Sequence, residues 1–275
     1  MSFVAIDPAS GEQIAEVPFE STDSVERTVA AAHAAYLEWR LKPVTERVAP
    51  LVEMGRLLRD RKDEYGMLMT REMGKPIRQA VAEAEKCAWV CDYYAEQAPK
   101  LLQPVDAPTD GAASYWTYRP LGIVLGIMPW NFPFWQVIRF GTPALTAGNA
   151  ALLKHAPSVP GCAAALEQLF HDAGYPDGLF ANLFVDVDVT GDLIDDPRVR
   201  AVSLTGSVRA GKTVAARAGA AIKPCVLELG GSDPSVVLAD ADLDAAATSC
   251  AMGRLINTGQ SCVAAKRFEI GRAHV

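Results

Sequence analysis

The sequence predicts an α/β fold built on a parallel sheet, and three observations carry that expectation. Short apolar runs such as GIVLGIMP (122–129), NAALLK (149–154), LFANLFV (179–185), AVSLTG (201–206) and PCVLEL (224–229) have strand length. Most of the intervals between them hold a stretch with helical spacing of apolar residues, as βαβ units require. The runs are apolar throughout rather than alternating, which suits strands buried on both faces.

The elements follow in order. Residues 1–20 read as short extended segments joined by the turn DPASGE. A helix starts at an Asp or Ser cap in STDSVERTVAAAHAAYLEWR, and a second, longer one runs from Thr45 to Gly74 before Pro76. A third covers IRQAVAEAEKCAWVCDYYAEQA, completing a helical layer. From Pro99 the chain turns rich in Pro, Gly and Ala, then alternates aromatics through Tyr118. This reads as a linker and an extended arm over 99–119. The strands then alternate with helices 134–148, 160–174 and 208–220, while VDVDVTGD (185–192) reads as a loop. In such sheets ligands sit beyond the carboxyl ends of the strands, which points to the loops after residues 128, 154, 205 and 229.

Composition excludes several classes. Of 275 residues half are hydrophobic, enough for a sizeable core, and the net charge is −7. That balance argues against nucleic acid or an anionic membrane as the partner. No apolar run reaches the roughly 18 residues that span a bilayer, and no signal peptide is visible, so a cytoplasmic protein is expected. The six cysteines, at 87, 91, 162, 225, 250 and 262, are scattered and expected to be reduced thiols. The four histidines, including His274, are far apart, and no metal site is expected.

Two readings compete for nucleotide binding. GSVRAGKT (206–213) satisfies the P-loop pattern, and SVVLAD resembles a strand ending in a Mg²⁺-binding Asp240, so a P-loop nucleotide hydrolase is the alternative function. Against it, Val208 and Arg209 inside the loop resist wrapping the backbone around phosphates. The milder reading is a Gly206–Ser207 turn whose following helix N-terminus attracts an anion. The glycine fingerprint GxGxxG of a standard dinucleotide fold is absent.

Three polar residues stand in unusual settings. Asn131 lies in MPWNFPFW, hemmed by Pro129 and Pro133; Glu228 ends an apolar strand before Gly230 and Gly231; Cys262 follows Gly-Gln-Ser. A thiolate attacks carbonyl carbon, an amide can hold the resulting oxyanion, and a carboxylate can activate water against a thioester. Each also has a plain structural reading: a packed thiol, a turn-closing asparagine, a glutamate paired with a nearby lysine. Spacing alone does not join them.

In order, PWNFP, TGS, LELGGSDP and NTGQSC resemble the aldehyde dehydrogenase superfamily, over nearly the whole chain to Phe268. LLKHAP, TGSVRAG and ELGGSDP look most similar to the bacterial NAD(P)-dependent succinate-semialdehyde dehydrogenases. The resemblance implies a Rossmann-like cofactor domain with a parallel sheet, followed by the N-terminal part of an α/β catalytic domain. It implies Cys262 as nucleophile, Glu228 as general base and Asn131 as oxyanion donor. Trp130 and Asn131 would line the cofactor cleft, with Lys154, Ala156 and Pro157 near the adenosine ribose. Gly206 and Ser207 would hold the pyrophosphate, and Leu229 would lie by the nicotinamide. Arg139, eight residues after Asn131, falls where semialdehyde-oxidising members place an arginine for the substrate carboxylate; the alternative is an arginine on the outer face of its helix. The implied cofactor is NAD or NADP and the implied partner a small-molecule aldehyde, succinate semialdehyde first. A homo-oligomer is expected of the full-length protein.

The sequence also departs from the resemblance. Members that prefer NAD often carry Glu three residues after the lysine; Pro157 stands there, so NADP should be tolerated. VDVDVTGD places acid and β-branched residues where relatives often have glycines. Relatives continue well beyond the cysteine, whereas EIGRAHV does not look like their continuation. The expected organisation is therefore a cofactor domain over 1–98 and 120–229, an oligomerisation arm over 99–119, an incomplete catalytic domain over 230–268, and a non-native tail over 269–275. An inactive nucleotide-binding fragment is the remaining alternative.

Overall fold

The computed structural model describes residues 2–272; Ala273, His274 and Val275 of the expected tail lie outside the described residues. The chain divides into a unit spanning Met1–Glu228 and one spanning Leu229–Val275.

The first unit is ordered by its strands. β1 (Ser2–Ile6) and β2 (Gln13–Pro18) form an antiparallel hairpin, as the extended reading of 1–20 anticipates. α1 (Thr22–Trp39) begins at Ser21, whose hydroxyl accepts from the Ser24 N–H. The expected single helix over 45–74 is instead three: α2 (Val44–Arg47), α3 (Ala49–Asp60) and α4 (Lys62–Met73). Pro50 has no N–H to donate and its ring disfavours the preceding turn, so the helix restarts at Ala49. The second break is at Arg61, which leaves helical geometry (φ −103°, ψ 13°) and bonds Asp172 at 2.6 Å. Gly74, at φ 74°, then stops α4 in a left-handed turn that only glycine adopts cheaply.

α5 (Ile77–Leu101) runs past Pro99, further than its pattern suggested, because a proline so near the carboxyl end disturbs little of the remaining helix. β3 (Val105–Asp106) and β4 (Tyr115–Trp116) pair antiparallel within the expected arm. The sheet follows as β5 (Ile123–Ile127), α6 (Pro133–Thr146), β6 (Ala150–Lys154), α7 (Pro160–Asp172) and β7 (Phe180–Asn182). It is completed by α8 (Val187–Asp195), β8 (Val199–Thr205), α9 (Val208–Ala220) and β9 (Cys225–Glu228). VDVDVTGD is therefore mostly helix rather than loop: the Asp186 carboxylate accepts from the Val189 N–H and caps α8.

All five strands are parallel in the order β7-β6-β5-β8-β9. The chain builds outward from β5 to β7, then returns to β8 on the other side of β5. Such a reversal opens a crevice at the carboxyl ends of β5 and β8. Ile123, Leu125, Leu152, Leu153 and Val202 are buried in the sheet core. Gly126 lets α6 close on the sheet: a Cβ there would lie 2.4 Å from a Phe140 ring carbon.

The second unit holds β10 (Pro234–Val237) and β11 (Arg267–Ile270) in parallel register, with α10 (Leu243–Leu255) capped by Asp242 between them. Glu269 and Ile270 of the expected tail thus form strand pairs with Val236 and Val237. A 3₁₀ turn over Ile256–Gly259 follows α10.

Candidate active site

The loops at the carboxyl ends of the strands gather the sequence-predicted residues of the first unit. A cleft of 480 Å³ is lined by Ile127 from the end of β5, Lys154 from the end of β6, Leu204 from β8, and side chains of α8 and α9 including Ser207. Lys154 is drawn against the Phe3 ring, its Nζ 5.6 Å from the centroid, and burial pulls its pKa down despite the attraction of Asp186. Ser207 caps α9, its hydroxyl accepting from the Ala210 N–H at 3.2 Å. The Gly206 N–H donates to the Glu228 carbonyl at 2.9 Å, tying the turn after β8 to the end of β9.

This geometry overturns the P-loop reading. Helix α9 is already formed at Val208, so GSVRAGKT contains no wrapped loop, and Lys212 sits exposed on a regular helix. Backbone N–H groups consumed in a helix cannot encircle a phosphate chain.

Asn131 occupies the turn between β5 and α6, beside the half-exposed Trp130. The flanking residues of that turn are gripped by groups the sequence reading missed. Glu83 of α5, buried, accepts from the Phe134 and Trp135 N–H groups through Oε1 at 3.0 and 2.9 Å. Its other oxygen accepts from the buried ammonium of Lys75, which also stands 4.1 Å from the Phe132 ring centroid. Burial pushes Glu83 up and Lys75 down, and their mutual attraction opposes both shifts. His155 is bonded to the Pro133 carbonyl at 3.0 Å through Nε2, while its Nδ1 accepts from the Ala156 N–H at 2.8 Å. Those two bonds together require the neutral ring, protonated on Nε2, and burial pushes the histidine down to about 4. Glu72 does for α7 what Glu83 does for α6, accepting from the Gly161 and Cys162 N–H groups at 2.7 and 2.8 Å. Both carboxylates lie at helix amino ends, where the aligned peptide dipoles favour negative charge.

Glu228 is about half exposed at the end of β9. Arg139 of α6 reaches it: Nη1 lies 3.7 Å from Oε1, and Nη2 lies 3.5 Å from Thr205 Oγ1. The first unit therefore brings Arg139, Thr205 and Glu228 together, with arginine rather than lysine as the partner of the glutamate.

Cys262 belongs to the second unit. Its thiol is exposed while Ser261 before it is buried, and Lys266 Nζ donates to both the Cys262 and Gly231 carbonyls at 2.8 Å. The turn leading to it is strained: Asn257 and Thr258 both adopt positive φ, 53° and 55°, and a β-branched threonine pays for that conformation. Leu229, Gly230 and Gly231 open the same unit. Among the described residues no group of three or more His, Cys, Asp or Glu is placed to hold a metal. Among them also, no helix is long and apolar enough to cross a membrane.

A five-stranded parallel sheet with a cleft at its switch point defines a nucleotide-binding type of α/β scaffold. The chain belongs to the aldehyde dehydrogenase family, whose pattern it matches over residues 1–273. It is 49% identical over 267 residues to the succinate semialdehyde dehydrogenase [NAD(P)+] Sad of Escherichia coli (strain K12), covering 97% of this chain and 58% of that protein. It is 46% identical over 268 residues to a succinate-semialdehyde dehydrogenase [NADP(+)] of Deinococcus radiodurans, covering 98% and 56%. The structure of succinic semialdehyde dehydrogenase from Streptococcus pyogenes in complex with NADP+ superposes with a TM-score of 0.95 at 36% identity. That match covers 98% of this chain and 59% of the other. The chain thus spans well under two thirds of the length of these relatives.

Proposed function

We propose that this chain serves the oxidation of an aldehyde to a carboxylic acid with NAD(P)+, with succinate semialdehyde as the substrate. The observation that carries the proposal is the cleft at the switch point, lined by the same Lys154 and Ser207 that the family resemblance assigns to the cofactor. It is large enough for an adenosine moiety, and the amino end of α9, which favours an anion, would hold the pyrophosphate. Trp130, Asn131, Lys154, Ala156, Pro157, Gly206 and Ser207 would hold the dinucleotide, with Leu229 by the nicotinamide. The likeness to enzymes named for succinate semialdehyde supports the substrate, and so does Arg139, a fixed cation beside Glu228.

In the proposed chemistry the Cys262 thiolate attacks the carbonyl carbon: a C–S bond forms and the carbonyl π electrons move to oxygen. The Asn131 amide donates to that oxyanion, a contribution of order 10²–10³ in rate at such sites. NAD(P)+, when bound, supplies the acceptor for the hydride that the thiohemiacetal must lose to become a thioester. Glu228 then takes a proton from water, the hydroxide adds to the thioester, and the C–S bond breaks to return the thiolate. The Arg139 guanidinium, 3.7 Å from Oε1, orients the Glu228 carboxylate. We further propose a cytoplasmic homo-oligomer that uses the 99–119 arm, where Tyr115, Trp116 and Tyr118 are exposed.

The test is made in a chain extended to the length of the relatives. Cys262→Ser abolishes reduction of NADP+ by succinate semialdehyde, and mass spectrometry of the wild type during turnover finds the acyl adduct on Cys262. Lys212→Ala leaves the rate within about twofold. An adduct on another residue, or full activity in Cys262→Ser, sinks the reading.

A further inference from the structure

Arg139 and Glu228 stand as an ion pair, so together they offer an incoming anion no net attraction. The chain as a whole carries a net charge of −7, which repels an anion at long range. We propose that Lys86 of α5 supplies the missing positive charge, steering the substrate carboxylate toward Arg139 and so setting the preference for an anionic aldehyde. This rests on reading the chain as serving succinate semialdehyde oxidation, and it adds a specificity-determining residue to that reading.

The contacts begin at Trp135. Its side chain is half-buried in the first turn of α6, and its backbone N–H donates to Glu83 Oε1 at 2.9 Å. Lys86 follows Glu83 by three residues and so shares its side of α5; its Nζ lies 3.7 Å from the centre of the Trp135 ring. Arg139 follows Trp135 by four residues, so both project from one face of α6. The ammonium thus stands over the face of α6 that carries the guanidinium.

Lys86 is exposed, and its charge is unmatched. The acids within two turns of it on α5 are each committed to another cation: Glu83 to Lys75, Glu85 to Lys62 at 2.6 Å, and Asp92 to Arg59. Among the described residues no carboxylate stands within ion-pair distance of Lys86. A carboxylate would cancel the ammonium, whereas an indole face holds it in place and leaves its charge to act outward. With Lys86 the group holds two cations to one anion. A substrate bearing a carboxylate is drawn in by that excess, and a neutral one is indifferent to it. The ammonium is in water, so the effect is moderate, about threefold to fivefold in KM, and fades with salt.

The experiment uses the chain extended to the length of the relatives, with NADP+ and two aldehydes of equal length, succinate semialdehyde and butanal. Lys86→Met keeps an unbranched side chain over the ring and raises KM for succinate semialdehyde by that factor. The effect falls in KM rather than kcat, and butanal shows no matching rise. The same variant flattens the decline of kcat/KM for succinate semialdehyde with added salt. Lys86→Arg retains the wild-type KM, because a guanidinium keeps both the charge and the ring contact. Lys100→Met, the same charge loss about 21 Å further along α5, leaves KM as it was. Circular dichroism checks that each variant is folded, and Lys86→Gln replaces the methionine variant if that one is not. A KM for succinate semialdehyde that Lys86→Met leaves unaltered, or a rise shared by butanal, overturns the proposal while the substrate reading stands. A wild-type enzyme that oxidises butanal as readily as succinate semialdehyde overturns that reading and the proposal with it.

Discussion

Lys75→Met removes the ammonium beside Glu83 while keeping most of the side-chain volume. Glu83 then holds a buried carboxylate with only the Phe134 and Trp135 N–H groups as partners. Breaking a buried ion pair by removing one partner costs about 3–5 kcal/mol. In a unit of this size about 1 kcal/mol moves the melting midpoint roughly 2–4 °C, so a fall of roughly 6–20 °C is expected. The sign of the pH dependence follows from Glu83, which burial already pushes above its ordinary range. Without Lys75 the carboxyl rises further, and protonation in the folded state relieves the penalty. The variant's deficit is thus largest at neutral pH and shrinks as pH falls toward the unfolded carboxyl pKa of about 4.3. The assay is urea unfolding followed by far-ultraviolet circular dichroism, from pH 4.5 to 8. The double variant Lys75→Met, Glu83→Leu removes both charges and recovers most of the loss, since two apolar groups need no partner. Two findings would refute the reasoning: a single variant within 1 kcal/mol of wild type at pH 8, or a deficit that grows on acidification.

Four further outcomes follow. His155 is depressed to about 4 from 6.5, so its neutral form contributes stability above about pH 6.5, and this fades as pH falls toward 4; the loss is roughly 3 kcal/mol, and His155→Gln flattens that part of the unfolding profile. Gly126→Ala pushes a methyl group into the Phe140 ring and destabilises the first unit by about 1–3 kcal/mol, read as a lower denaturant midpoint at unchanged slope. Thr258→Gly relieves a left-handed conformation and raises the melting midpoint of the second unit, by about 1 kcal/mol in stability terms; a drop would mean that the threonine side chain contributes more than its strain. Arg139→Ala in a full-length chain raises KM for succinate semialdehyde severalfold but not for a neutral aldehyde, and an equal effect on both removes the arginine from substrate recognition.

Which parts were legible in the sequence follows from where the physics is local. The apolar runs of β5, β6 and β8 announce themselves because a doubly covered parallel strand tolerates almost nothing polar, and β9 reads as a strand too although Val226 and Leu227 on that edge are exposed. The motif turns at Asn131 and Gly206–Ser207 stand out because proline and glycine mark them. The breaks at Val48 and Arg61 were missed: Arg61 is pulled out of the helix by Asp172, a partner 111 residues away. Helix α8 was missed because Asp186 reads as loop chemistry until the Val189 N–H is seen to need it. Glu72, Lys75 and Glu83 were invisible for a similar reason. Charged residues on a helix read as a solvated face, and nothing nearby in sequence says that α6 and α7 will bring their amino ends to them. The one signal was compositional, a Lys-Pro step between two long helices carrying inward glutamates.

The carboxylate of Glu83 meets its peptide partners across 51 residues of chain. During folding it therefore stays hydrated until α6 arrives in register. A collapsed chain with α6 displaced by one turn would strand a negative charge in an oily layer, and water would pull that layer apart again. The arrangement rewards one alignment of helix and strand and penalises near misses, a proofreading function that side-chain shape alone performs less sharply. Refolding of the Lys75→Met, Glu83→Leu variant should then show more trapped intermediates, even where the native state is no less stable.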